Sequence, residues 1–443
     1  MRKVAFLAYV LAVLAGPAAA LPADPSVSAP PAAEVSAGVS PLDSLLREAL
    51  AGNPEVAEAR ALWRAAAERT SHVGALEDPM LEFMLDEQPF EGGEGMWGVS
   101  LSQEIPFPGK RGPATDAARR EADAAREMLL DAARRVVTDV KIAYYEHFQL
   151  ESQVATMRES RAALADAVEA TRARYETGVA GQQDLLLARV EGSALDGEIL
   201  HAEALVGAAR ARINLLLARD ASAPLGSTPV DSLSPFDARL EDLLAAAPSA
   251  RPSLRAAERE AQAADAALSG ARAAWRPDLL VGAGYLRMPD EVDAWRAEVG
   301  LTLPVWKGRK EDAMAREAER RHEAARSRLE AVRNRAGIEI EEQYAHVVSE
   351  REIVRLYERE ILPQAELAYR SARANYLTGQ VTFLTLLESL RKWIDLRKSY
   401  FEYLADSEMH LARLEEAAGQ DLGGLRLDAL IEAAAETKGE SAP

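Results

Sequence analysis

The chain has 443 residues and a formal net charge of -19, from 52 Lys and Arg against 71 Asp and Glu, so it lacks the basic footprint that nucleic-acid binding needs to displace counterions. It has no cysteine, which excludes disulfide scaffolds, Cys-ligated zinc, iron–sulfur clusters, thiol catalysis and a lipidated N-terminal cysteine together. Alanine makes up much of the 48% hydrophobic share, while aromatics contribute only 6%, a balance that favours long, closely packed helices.

Residues 1–20 read as a secretory signal peptide. Arg2 and Lys3 precede the apolar run Val4 to Ala15, Gly16-Pro17 breaks it, and Ala18-Ala19-Ala20 offers a small-residue cleavage site. The run falls short of the roughly 20 residues a membrane-crossing helix needs, and no later stretch approaches that length. Transmembrane β-strands give a much weaker hydropathy signal, so a barrel stays open. Residues 21–41, rich in Pro, Ala and Ser, form a flexible lead-in.

From residue 42 the chain is written twice. Pro54, Pro79, Trp97 and Pro106 recur as Pro252, Pro277, Trp295 and Pro304, each 198 residues on, and Tyr175 and Gly178 recur as Tyr376 and Gly379, 201 residues on. The repeats span 42–220 and 240–418, separated by a Pro- and Gly-bearing linker at 221–239 and followed by a tail at 419–443. Each repeat opens with a helix (42–75, 240–275), then two short alternating segments, a very long helix, a tight turn and a returning helix.

The alternating segments have one apolar and one polar face. Trp97, Val99, Leu101 and Ile105 oppose Gly98, Ser100, Ser102 and Glu104; Trp295, Ala297, Val299, Leu301 and Leu303 oppose Arg296, Glu298, Gly300 and Thr302. Their partners place Leu81, Phe83 and Leu85 against Glu82, Met84 and Asp86, and Leu279, Val281, Ala283 and Tyr285 against Leu280, Gly282, Gly284 and Leu286. This is the strand period, at a length suited to a tilted strand crossing a bilayer, with tryptophan at the interface. The same pattern also fits a half-buried sheet in a soluble protein. The loops 86–96 and 287–294 are acidic. Four strands cannot close a barrel, and lipid does not tolerate open edges, so membrane strands would need other copies of the chain.

After Pro106 and Pro304 the long helices begin. A helix over 112–175 would run about 95 Å. In its counterpart, 309–376, Pro363 lacks an amide hydrogen and should kink or interrupt the helix. Leu329, Val332, Ala336, Ile340, Tyr344, Val347, Val354, Ile361, Ala365, Ala368 and Ala372 lie three, four or seven apart, and Leu387, Leu390, Ile394, Phe401, Leu404 and Leu411 make a heptad seam broken by Arg397 and Glu408. Catalytic motifs are missing: no phosphate loop, dinucleotide fingerprint or nucleophile elbow occurs. The six histidines, His72, His147, His201, His322, His346 and His410, show no metal-ligand spacing and read as helix-surface or seam residues. Neither an enzyme, a cofactor nor a metal site is expected.

The duplication, the strand pairs and the turns Tyr175-Glu-Thr-Gly178 and Tyr376-Leu-Thr-Gly379 resemble the TolC-like outer-membrane efflux protein family over about 42–418. The segment Gln103-Glu104-Ile105-Pro106-Phe107-Pro108-Gly109-Lys110-Arg111 resembles its heavy-metal branch. The resemblance implies a mainly α fold with a transmembrane β-barrel portion: a homotrimer with a twelve-stranded barrel in the outer membrane of a Gram-negative bacterium, standing on an α-helical periplasmic tunnel. It implies a passive duct that docks to a periplasmic adaptor and a proton-driven inner-membrane pump. Adaptor contact would fall on the tips Thr177, Gly178, Val179, Ala180, Thr378, Gly379, Gln380 and Val381. The gate would involve Tyr376 hydrogen-bonded to Asp184, with Thr385 and Glu388 at the family's acidic pair and Val381 where an arginine is expected. The alternative is a soluble periplasmic coiled-coil adaptor or scaffold, which would usually carry one helical hairpin between β-rich domains rather than a doubled plan.

Overall fold

The computed structural model describes residues 42–86, 96–178, 180–230, 232–287, 292–424 and 429–432. The expected signal peptide and lead-in, Val179, most of the first acidic loop, half of the second and most of the tail lie outside them.

Each repeat opens with two helices rather than one: α1 (Leu42–Gly52) and α2 (Pro54–Val73), then later α5 (Leu240–Ala250) and α6 (Pro252–Ala273). The breaks fall at Pro54 and Pro252, because a proline with no amide hydrogen starts a helix well but cannot continue one. Asn53 reinforces the first break by accepting a hydrogen bond from the Glu55 amide at 2.8 Å, which caps α2.

The strands form one antiparallel sheet in the order β1 (Met80–Asp86), β2 (Met96–Ile105), β3 (Leu279–Arg287), β4 (Ala294–Leu301). The two repeats meet at its centre, where Trp97 to Ile105 pairs with Arg287 to Leu279. Leu81, Leu101, Ala283 and Ala297 share one rung, and Phe83, Val99, Tyr285 and Trp295 the next, all on one face. That apolar face is uncovered within the chain: Phe83 is 66% exposed, Leu85 75%, Trp295 83% and Val299 75%. Glu82, Ser100, Gly284 and Arg296 line a rung of the other face. β4 stops at Leu301, two residues before the expected end, and Pro304 follows in a turn. Among the described residues, β1 and β4 have no outer strand partner.

The segment 103–111 is held to the second repeat beneath the sheet. Asp278 accepts from the Phe107 amide at 2.9 Å and pairs with Lys110 Nζ at 2.6 Å, while Arg276 donates to Pro108 O at 3.0 Å.

α3 (Arg111–Glu176) has 66 residues, about 99 Å at 1.5 Å per residue. It returns through α4 (Gln182–Leu216). Its counterpart is one continuous rod made of α7 (Glu311–Leu356), a π-helical turn (Tyr357–Ile361) and α8 (Leu362–Leu377), returning through α9 (Phe383–Ala418). Pro363 therefore neither ends nor breaks the rod. The π turn carries the Leu362 amide to Tyr357 O and leaves Pro363 at the start of a fresh α segment, where its missing hydrogen matters least.

Four apolar clusters run along the rods, the fourth joining α3 to α4 around Met157 and Leu195. One gathers α1, α3 and the middle of α9 around Leu46, Leu129, Val140 and Leu404; a second gathers α5, α7 and the end of α9 around Leu243, Ile340 and Leu414. A third, around Leu164, Tyr376 and Phe383, sits by the tips. The expected seam of α7 is buried at Ala336, Ile340, Val347 and Val354. Glu408, which interrupts the heptad of α9, is 2% exposed and accepts from the Ser234 amide at 2.8 Å and hydroxyl at 2.6 Å, so the break anchors the linker. Lys141 and Glu415 form a buried ion pair, and Glu415 also accepts from the Leu422 and Gly423 amides at 2.9 and 2.7 Å. No described helix is long and apolar enough to cross a membrane.

Candidate functional site

The far ends of both rods reverse through matching turns. Gly178 and Gly379 have φ of +75° and +79°, the left-handed region where only glycine sits without strain. In the second tip the Gly379 amide donates to Tyr376 O at 3.0 Å and the Gln380 amide to Asn375 O at 2.8 Å, the paired bonds that satisfy the last carbonyls of a helix. In the first tip the Gly178 amide donates to Tyr175 O at 2.9 Å and the Ala180 amide to Arg174 O at 3.1 Å. Thr177 and Thr378 turn their hydroxyls back onto Ala173 and Arg174, and onto Ala374 and Asn375. Thr177, Gly178, Thr378, Gly379 and Gln380 are exposed, and Val381 packs against the third cluster. Val179 lies outside the described residues.

Tyr376 is the centre of the tip region, 2% exposed. Its hydroxyl lies 2.7 Å from Thr171 Oγ1, and that hydroxyl donates to Ala167 O at 2.7 Å, so the tyrosine donates to the threonine. This corrects the expected Tyr376–Asp184 bond. Tyr376 points into the packed space between α8 and α3, whereas Asp184 lies in the first turn of α4 and uses its amide on Gly181 O at 3.2 Å. Thr385 is also placed differently from the expected gate pair: its amide and hydroxyl meet Thr382 Oγ1, at 3.3 and 3.1 Å, and cap α9. Glu388 is exposed and makes no ion pair among the described residues.

The sequence reading missed Arg174. From the last turn of α3 its guanidinium stacks over the Tyr376 ring at 4.8 Å and donates to Tyr376 O. This cation comes from the other hairpin and lies at a helix C-terminus, where the backbone dipole favours it. Its signal was the lone basic residue in that last turn. Phe383 closes the pocket beneath Tyr376 and is 1% exposed, a burial of about 1.5–3 kcal/mol. Further along, Tyr369 stacks on Trp393 at 5.6 Å, and burial pushes its phenol up. Arg373–Asp166 at 3.3 Å and Arg391–Glu191 at 2.6 Å tie the second hairpin to the first. The first pair is solvent-exposed and worth little by itself, whereas the second is bidentate with Glu191 largely shielded.

A family model described as outer membrane efflux protein matches residues 45–219 and again 243–420, one match per repeat. The chain is an outer membrane efflux protein. The family consists of channel proteins, and membership sets the efflux channel above the soluble adaptor. The efflux protein is 21% identical to the outer membrane protein TolC of Vibrio cholerae over 346 residues, 75% of this chain and 78% of that one. Its fold is similar to the outer membrane protein VceC of Vibrio cholerae (TM-score 0.73, 20% identity, 86% of this chain and 96% of that one). It is similar also to the CmeC outer membrane channel of Campylobacter jejuni (TM-score 0.76, 15% identity, 89% of each) and to CusC (TM-score 0.75, 20% identity, 86% and 92%).

Proposed function

We propose that three copies of the efflux protein close a twelve-stranded barrel in the outer membrane and continue it as a helical periplasmic tunnel, a passive duct. The observation that carries this reading is the sheet with two edges unpaired among the described residues and a largely exposed apolar face, at the opposite end of a rod of about 99 Å from the tips. Lipid accepts such a face and rejects such edges, so closure by further copies satisfies both. The tips dock a periplasmic adaptor coupled to a proton-driven inner-membrane pump. Leu377 and Leu384, 58% and 53% exposed, give those tips apolar surface for a protein partner. Cations, heavy-metal ions among them, are the cargo suggested by the resemblance of the 103–111 segment to the heavy-metal branch and by a Glu388 carboxylate from each copy near the tips, whose summed potential favours positive charge.

Within this duct Thr171, Arg174 and Tyr376 latch the two hairpins closed. Single-channel recording in planar bilayers tests this. Arg174→Ala with Tyr376→Phe removes the cation–ring contact and the hydroxyl bond, and the open fraction should rise well above wild type. An unchanged closed fraction would discard the latch, and a chain that forms no pores at all would discard the duct.

A further inference from the structure

Halfway along the rods the fold brings a distant histidine to a histidine–carboxylate pair on one helix face. His346 and Glu350 lie one turn apart on α7, and His410 faces them from α9. One ligand atom from each lies within 4.8 Å of the others. Glu350 Oε1 is 3.4 Å from His410 Nε2 and 3.9 Å from His346 Nδ1, and the two imidazoles stack at 4.4 Å, 11° from parallel. The expectation of no clustered histidine ligands is corrected here, because position 410 joins the pair only through the packing of α9 on α7.

The polar bonding of this cluster is incomplete. His410 Nδ1 lies 2.8 Å from Gln343 Oε1, an acceptor, so the ring carries its proton there and turns the Nε2 lone pair toward Glu350. Glu350 Oε2 is buried without a hydrogen-bond partner.

We propose that His346, Glu350 and His410 bind one divalent transition-metal ion of the Zn2+ type, with Gln343 as a positioning residue. Two imidazoles and a carboxylate are a borderline-soft donor set that suits Zn2+, Cu2+ or Ni2+ and discriminates against Mg2+ and Ca2+, which need more oxygens. Ligand atoms bound at about 2.0 Å around a tetrahedral ion stand about 3.3 Å apart. The Glu350–His410 separation is already close to that, and His346, with its side chain 49% exposed, has room to tilt inward. The remaining coordination position opens to water. An ion there clips α7 to α9, and the site stands whether or not metal is the cargo.

Isothermal titration calorimetry with ZnCl2 tests it, on the full chain made without a histidine tag and held in detergent. One Zn2+ should bind per chain, undisturbed by excess Mg2+. His346→Gln, a half-exposed position whose loss leaves the core intact, should weaken binding at least about tenfold, and Gln343→Leu about 10- to 100-fold. Co2+ in place of Zn2+ should give the intense visible bands of a low-coordinate site in wild type and lose them in His410→Gln. Absence of Zn2+ binding, or equal affinity in wild type and His346→Gln, would overturn the site. Either outcome leaves the channel reading standing, because that rests on the sheet and the tips.

Discussion

Single residues hold the joints between the repeats, and they do so by contacts that sequence spacing does not display. Thr171 and Arg174 reach Tyr376 from another rod, and Asp184, at the matching distance from its tip glycine, stays clear of it. Counting from a glycine gives position along a helix but not the direction a side chain takes around it. His147 is a further joint. It is 3% exposed, and its Nδ1 lies 3.0 Å from Thr228 in the linker between repeats. Burial holds its pKa below the ordinary value near 6.5, outweighing the pull of Glu151. The folded state therefore favours the neutral ring while the unfolded chain takes up a proton first. The stabilisation from His147 is full above about pH 6.5 and is lost as pH falls through the lower folded value. Thermal melts at stepped pH should show wild type losing more stability between pH 7.5 and 5.5 than His147→Gln does. Parallel curves would mean that His147 is not titrating in this window.

Among the elements, the π turn explains why the two repeats are offset unevenly. Buried Ala336, Ile340, Val347 and Val354 correspond to buried Val136, Val140, His147 and Val154, 200 residues earlier. Past the π turn, Ala372 corresponds to Thr171 and Gly379 to Gly178, 201 residues earlier. Of the three extra residues in the second repeat, two lie in the connection after β4 and one lies in the rod, where a π turn absorbs a single insertion without rotating the seam on either side. Deleting Glu360 together with Pro363→Ala should convert the π turn to α-helix and keep both seams in place, with a melting temperature within a few degrees of wild type by circular dichroism. Deleting Ala345, inside the α segment, should rotate everything beyond it by about 100° and abolish folding. Equal damage from both deletions would show that the π turn is not the inserted residue. The heptads of α7 and α9, the strand faces and the tip glycines were all legible in the sequence, because each is a periodicity or a unique backbone need. The fate of Pro363 was not, since a proline forbids one hydrogen bond but does not say whether the helix ends or slips by a residue. The His346–Glu350–His410 cluster was not legible either, being a product of packing between elements.

For the molecule as a whole, the decisive feature is a sheet whose two edge strands have no outer partner among the described residues. β1 and β4 run antiparallel in the order β1-β2-β3-β4, so β4 of one copy can accept β1 of the next in the same antiparallel sense. A closed ring of such joins keeps the face of Phe83, Leu101 and Trp295 outside and the face of Glu82, Ser100 and Arg296 inside. This makes a prediction that depends on side-chain parity. The chain has no cysteine of its own, so introduced pairs report without background. Phe83→Cys on β1 should be combined in turn with cysteine at each position of β4 from Ala294 to Leu301. Phe83 shares its face with Trp295, Ala297, Val299 and Leu301, and the opposite face carries Ala294, Arg296, Glu298 and Gly300. Mild oxidation in membranes should give disulfide-linked products at two and three times the mass of the processed chain, only for partners on the Phe83 face and most strongly at one register. Because a disulfide requires Cβ atoms within about 4.5 Å, opposite-face pairs are out of reach across an intact sheet. Cross-links at alternating positions, ending at three copies, would establish the shared wall and its stoichiometry together. No cross-link at any position, or equal yields on both faces, would mean that the edges are not joined between copies and that the exposed apolar face needs another cover.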